Sequence, residues 1–282
     1  MRYWPEGPLV DAAWLQSHLG VKTVAVLDCR FELADPAAGE RAYREGHIPG
    51  AQYVHLERDL SGPRGERGGR HPLPAPAAFA ATMGSLGVGD DSMVVVYDQD
   101  ASMAPRAWWL LRYMGHDAVA VLDGGIDAWR ESGGELERAV HEPVPRAFTP
   151  RPRAGWTVDI DAVRRRAPEV ALLDARAGER YRGEVEPIDP RAGHIPGALS
   201  APFKEGLDTR GRWLDQDEQA RRFDRLVAPG APIVAYCGSG VTACANLLAL
   251  EIAGRKGALL YAGSFSDWSA RPDLPVATGD AP

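Results

Sequence analysis

The chain has 282 residues, and at about 150 residues per domain its length points to two domains. It is 45% hydrophobic and 25% charged, and its formal charge of −7 argues against a nucleic-acid binder, which carries a basic surplus or stripe. No apolar run reaches the roughly 20 residues of a membrane span, and MRYWPEGPLVDAAWL at the N-terminus has no apolar signal core, so a cytoplasmic protein is expected.

In chain order, VAVLD (24–28) has the length and apolar content of a buried strand. GHIPGA (46–51) follows, then a second strand, MVVVYD (93–98). PRAWWLLRYMG (105–115) reads as a helix, AVAVLD (118–123) as a strand, and LDGGIDAW (122–129) closes the first half. The stretch around 137–155 is rich in Pro and Arg, without sustained apolar periodicity. VALLDA (170–175), GHIPGA (193–198), PIVAYC (232–237), a helix in VTACANLLALEIAG (241–254) and GALLYAG (257–263) then repeat the order. YAGSFSDW (261–268) echoes LDGGIDAW. Four landmarks in one order mean two copies of a unit of about 130 residues, too long for a solenoid repeat. The expected division is an N-terminal domain over 1–138, a linker over 139–155 and a C-terminal domain over 156–282. Strands apolar on both parities, alternating with helices, predict an α/β fold in which each copy is an open, mainly parallel sheet flanked by helices.

Cys237 ends a strand and precedes Gly238, Ser239, Gly240, Val241 and Thr242, after which a helix starts. Glycines let successive amides curl inward, and a helix N-terminus adds positive potential. Such a cradle favours an anion, and the thiolate is the nucleophilic form of cysteine. The same position in the first copy is Asp98, in the loop DQDASMA, so only the second copy holds a nucleophile. The first copy is then expected to serve as a wall of the site. Three dispersed cysteines, Cys29, Cys237 and Cys244, fit neither a disulfide framework nor a zinc site, and no dinucleotide fingerprint follows a strand. No metal or cofactor is expected.

HIPGA in each half, APRAWW (104–109), LDGGIDAW and CGSGVTA together resemble the tandem rhodanese-like sulfurtransferases across nearly the whole chain. The neutral loop Cys-Gly-Ser-Gly-Val-Thr is similar to the 3-mercaptopyruvate sulfurtransferase branch. The thiosulfate branch tends to place basic residues directly after the cysteine, which suits a dianion. The resemblance implies a Cys237 persulfide and loop contacts to substrate from Gly238, Gly240, Val241 and Thr242. It also implies two arginines for the substrate carboxylate. Arg180, before Tyr181, fits the first, and Arg191, after Pro190, the second. It further implies that His47, in the first HIPGA, reaches the loop across the domain interface and relays a proton with Ser239, with Asp35 orienting the ring. His194 repeats that histidine in the second copy, which equally suits a turn-holding role. Arg106 is expected to join the domains, and Trp108, Trp109, Cys29 and Cys244 to pack inside. The expected acceptor is a thiol such as thioredoxin, or cyanide.

Two other readings are weighed. A cysteine phosphatase or arsenate reductase loop needs an arginine where this chain has Ala243. A non-catalytic binding module is compatible with the lost cysteine of the first copy but not with the intact loop of the second. Thiosulfate remains an alternative donor.

Overall fold

The computed structural model describes residues 5 and 7–282, so the first residues of the domain expected over 1–138 lie outside the described ones. Two compact units emerge. The first comprises Met1–Gly62, Pro74–Arg153 and Arg210–Arg212; the second comprises Pro63–Leu73, Ala154–Thr209 and Trp213–Pro282.

In the first unit the elements are β1 (Leu9–Val10), α1 (Ala12–His18), β2 (Val24–Asp28), α2 (Ala38–Glu45), β3 (Gln52–Tyr53), α3 (Leu56–Asp59), α4 (Pro76–Ser85), β4 (Met93–Tyr97), α5 (Ala104–Tyr113), β5 (Val119–Leu122) and α6 (Gly125–Glu131). The second holds β6 (Thr157–Val158), α7 (Ile160–Arg164), β7 (Ala171–Asp174), α8 (Gly178–Arg182), β8 (Ala198–Ser200), a 3-10 turn (Phe203–Gly206), α9 (Gln216–Asp224), β9 (Ile233–Tyr236), α10 (Ala243–Ile252), β10 (Leu259–Tyr261) and α11 (Ser264–Ser269). Each sheet has five parallel strands, ordered β1-β5-β4-β2-β3 and β6-β10-β9-β7-β8. β4 and β9 are buried along their whole length, as central strands covered on both faces must be. Pro105 in the first turn starts α5 without leaving an amide unsatisfied, and Asp215 with Glu218 forms a capping box on α9. The four edge strands have only two or three residues each, too few to show a periodicity.

The chain order reverses direction across the sheet between β4 and β2, and between β9 and β7. Loops at the carboxyl ends of these neighbours form the crevice where open α/β sheets bind ligands. Asp98 and Cys237 sit there, one residue beyond β4 and β9.

Both units share one buried brace. Asp28 closes β2 and pairs with Arg30 at 2.6 Å, and Arg30 also donates to Gly46 O. Asp174 closes β7 and pairs with Arg176 at 2.6 Å, and Arg176 donates to Gly193 O. Each bond pins the HIPGA turn to the strand end. His47 Nδ1 meets Tyr43 O at 2.7 Å and its ring stacks on Tyr43; His194 does the same with Tyr181. The two HIPGA histidines are therefore turn braces. Asp35 does not orient His47: it lies on the surface, paired with Arg41. Trp108, Trp109, Cys29 and Arg106 are buried in the first unit, with Arg106 donating to Leu60 O.

The expected linker packs on the first unit as far as Arg153. Arg146 N donates to Gly84 O, Arg151 N to Met114 O, and Phe148 meets Phe79 edge-on.

The first unit's loop holds its own anion. Asp98 Oδ1 accepts from Ala101 N at 2.9 Å, and Oδ2 accepts from Met103 N and Ala104 N at 2.7 Å each. Burial pushes the Asp98 carboxyl up to about 6, and Asp100 adds to the rise, although the three amides pull it down. A folded-state value above the unfolded one makes proton uptake stabilising. That contribution is complete below about pH 4 and is lost as pH rises through about 6. Asp98→Asn removes this titration. Urea midpoints should therefore show wild type gaining about 2–3 kcal/mol relative to the variant between pH 7 and pH 4. A constant gap would mean that the carboxyl does not titrate in that window.

Candidate active site

Cys237 is 2% exposed, and its Sγ accepts from Gly240 N at 3.2 Å. This matches the first unit, where Ala101 N reaches Asp98 Oδ1. Gly240 has φ +77°, and a Cβ there would lie 2.5 Å from Ala262 O, so the turn admits only glycine. The counterparts of Met103 and Ala104 are Thr242 and Ala243, which lead into α10. By sequence position their amides correspond to those that grip Asp98 Oδ2 in the first unit. A glycine turn and a helix start beside the sulfur suit an anion. Val241 is buried, and its carbonyl starts α10 by accepting from Cys244 N. Cys244 is packed inside, its Sγ donating to Gly240 O at 3.4 Å.

Behind the loop, Ser264 opens α11 with φ +54°, where the first unit has Gly125. Its Oγ accepts from Cys237 N at 3.1 Å and donates to Tyr261 O at 2.8 Å. Phe265 N donates to Cys237 O, and Ser266 N to Gly238 O. The left-handed serine holds the end of β9 in place, a strain that only a compensating bond sustains.

Ser239 is buried, and its Oγ lies 2.7 Å from His71 Nδ1. The expected partner was His47. His47 is instead enclosed in the first unit, with 0% exposure, Nδ1 on Tyr43 O and Nε2 4.0 Å from the Glu137 carboxylate. His71 comes from Pro63–Leu73, the segment that clusters with the second unit.

The same segment supplies Arg70. A Cβ on Gly238 would lie 2.9 Å from Arg70 Nη2 and 3.6 Å from Arg180 Nη1, so both guanidiniums face the loop. Of the two arginines singled out in the sequence, Arg180 lies beside Gly238. The Nε, Nη1 and Nη2 of Arg191 donate to the carbonyls of Ser269, Leu274, Trp268 and Arg271, tying down the end of α11. Four of its five N–H donors are used on main chain, and the second guanidinium beside Gly238 is that of Arg70.

Buried carboxylates hold these cations. Glu186 pairs with Arg180 at 2.7 Å and with Arg176 at 3.2 Å. Asp189 binds Arg70 through Oδ1 and Arg180 through Oδ2, the latter at 3.2 Å. Burial pushes the Asp189 carboxyl above the ordinary carboxylate value and Glu186 adds to this, while Arg70 and Arg180 oppose it. Burial likewise disfavours charge on Glu186, but Arg180 and backbone amides hold it below the ordinary value. Among the described residues no cluster of metal-ligating side chains occurs, and no helix is long and apolar enough to cross a membrane.

A parallel α/β unit thus brings together a buried cysteine, a serine–histidine pair and two guanidiniums. The family model described as the rhodanese-like domain matches residues 11–132 and 161–271. The chain is 48% identical over 279 residues to a Pseudomonas aeruginosa protein named "Probable 3-mercaptopyruvate sulfurtransferase", covering 96% of this chain and 98% of that one. It is 41% identical over 263 residues to the Mycobacterium tuberculosis "Putative thiosulfate sulfurtransferase SseB", covering 92% of each. The crystal structure of SseA from Escherichia coli superposes with a TM-score of 0.79 at 34% identity, covering 92% of this chain and 99% of that one. The chain belongs to the rhodanese-like family, with two tandem copies of the domain, and is a sulfurtransferase.

Two sets of variants test these assignments. Ser264→Ala leaves the buried Cys237 amide without its acceptor and is expected to destabilise by about 1–3 kcal/mol. Ser264→Gly loses the same bond but relieves the backbone, so thermal melts should place it above Ser264→Ala and below wild type. Arg191→Ala should lower the melting temperature and leave KM for an anionic substrate within about twofold, whereas Arg180→Ala should raise KM. A raised KM in Arg191→Ala with an unchanged melt would restore Arg191 to the site.

Proposed function

We propose that this protein moves a sulfane sulfur from 3-mercaptopyruvate through a Cys237 persulfide to a thiol or cyanide acceptor. The observation that carries the reading is the 2.7 Å contact between Ser239 and His71 on the loop that presents Cys237. Arg180 and Arg70 hold the donor carboxylate, which a guanidinium grips in a fixed geometry. The Cys237 thiolate attacks the donor sulfur, an S–S bond forms, and the C–S electron pair leaves as the enolate of pyruvate. The donor thiol gives up its proton and the enolate carbon takes one up. A hydroxyl and an imidazole in contact can carry that proton between them. The outer sulfur remains as Cys237-S-S⁻. The carboxylate of Asp98 indicates how: its Oδ2 occupies, in the first unit, the place where the amides of Thr242 and Ala243 would receive the outer sulfur.

In the second half-reaction a thiolate or cyanide attacks the outer sulfur and frees the Cys237 thiolate. Cyanide leaves as thiocyanate. A dithiol such as reduced thioredoxin takes the sulfur and releases it as hydrogen sulfide while closing its own disulfide. The acidic net charge and the ordinary soluble composition suit a cytoplasmic setting. Thiosulfate is the second donor to weigh, because two guanidiniums face the loop and a relative carries that substrate in its name.

Intact mass after incubation with each donor and its removal tests the reading. One added sulfur from 3-mercaptopyruvate, absent in Cys237→Ser, is the expected result. Ser239→Ala and His71→Asn should slow loading by about 10²–10⁴-fold without abolishing the fold. Loading from thiosulfate alone would move the protein to the second donor, and loading from neither would remove the persulfide reading.

A further inference from the structure

The guanidiniums facing the Cys237 loop are not free charges. Arg176, Arg180 and Arg70 alternate with Asp174, Glu186 and Asp189 in one buried chain, three cations against three anions. Asp189 is its outermost carboxylate. Its side chain is 1% exposed, and its own amide is held by Glu186 Oε1 at 3.0 Å. One oxygen binds Arg70 and the other binds Arg180, the two cations that approach Gly238. Asp189 thus stands one guanidinium behind any anion bound at the loop and repels it through both arginines.

We propose that Asp189 sets donor choice in this enzyme: its buried charge cancels part of the field of Arg70 and Arg180, so that a monoanionic carboxylate is accepted over dianionic thiosulfate. This rests on the persulfide reading above. Discrimination comes from a repulsive element, which acts on each unit of substrate charge, so the dianion is penalised about twice as strongly as the monoanion. Asp189 touches no reacting atom and is a specificity and positioning residue.

The test is steady-state kinetics of wild type, Asp189→Asn and Asp189→Glu with 3-mercaptopyruvate and with thiosulfate, cyanide as acceptor, at low and at physiological salt. Asp189→Asn is expected to raise the ratio of kcat/KM for thiosulfate to that for 3-mercaptopyruvate by about tenfold or more, through a lower thiosulfate KM. The thiosulfate KM should also become more sensitive to salt. Asp189→Glu should keep the wild-type ratio. Asp189→Ser, which drops the charge but keeps an acceptor oxygen, replaces the Asn variant if that one does not fold. An unchanged ratio in a folded neutral variant overturns the proposal, as does an equal loss of kcat with both donors. Failure of both neutral variants to fold also overturns it, assigning Asp189 to the fold alone. If wild type loads sulfur from neither donor, the persulfide reading has failed; if it loads and the ratio does not move, only this proposal has.

Discussion

The geometry around Cys237 depends on one buried chain of alternating charges. Asp174 at the end of β7 holds Arg176, Arg176 holds Glu186, Glu186 holds Arg180, and Asp189 joins Arg180 to Arg70. Stripping water from isolated charges of this kind costs several kcal/mol each, so every member requires its neighbours. Arg176 also lies over the Phe265 ring at 4.0 Å, and Phe265 N holds Cys237 O. Strand end, arginine loop and nucleophile loop are thereby fixed by the same set of contacts. Removing any one partner would leave an uncompensated buried charge, which is worse than replacing the pair outright.

The two copies show how little separates the cysteine loop from the aspartate loop. Both end a fully buried central strand and turn into a helix, and both have a left-handed residue three positions on, Ala101 in one and Gly240 in the other. The first places a carboxylate in the amide cradle and satisfies it completely. The second places a sulfur there, which accepts from the Gly240 amide. The brace of aspartate, arginine and HIPGA turn is the same in both, which is why that motif repeats although only one copy has a cysteine at the end of that central strand.

The central strands, the helices after the loops, the parallel architecture and the cysteine cradle were legible in the sequence. Each rests on local signals: an apolar run of strand length, a glycine turn, a helix pattern. Edge strands of two residues carry no such signal. The histidine that meets Ser239 is His71 and not His47, for a different reason. HIPGA is conspicuous as a repeat, but its conspicuousness comes from the turn it braces, and a histidine present in both copies is explained by what both copies need. His71 and Arg70 stand in GPRGERGGRHPLP, a stretch of glycine, proline and arginine with no periodicity. A basic, glycine-rich segment without a structural role of its own was the available signal. Arg191 was placed by its spacing from HIPGA, yet carbonyls at the end of α11 consume its donors, and only the fold brings those carbonyls to it.

Pro63–Leu73 belongs by its contacts to the second unit while lying in the sequence of the first. Ser239 and His71 are 168 residues apart in the chain. A contact so distant in sequence carries the entropic cost of closing a long loop. During synthesis His71 leaves the ribosome long before the serine it touches. A fragment beginning at the start of the second copy would carry Cys237 but neither His71 nor Arg70. Recombination or truncation between the halves therefore separates the cysteine loop from two of the side chains that face it.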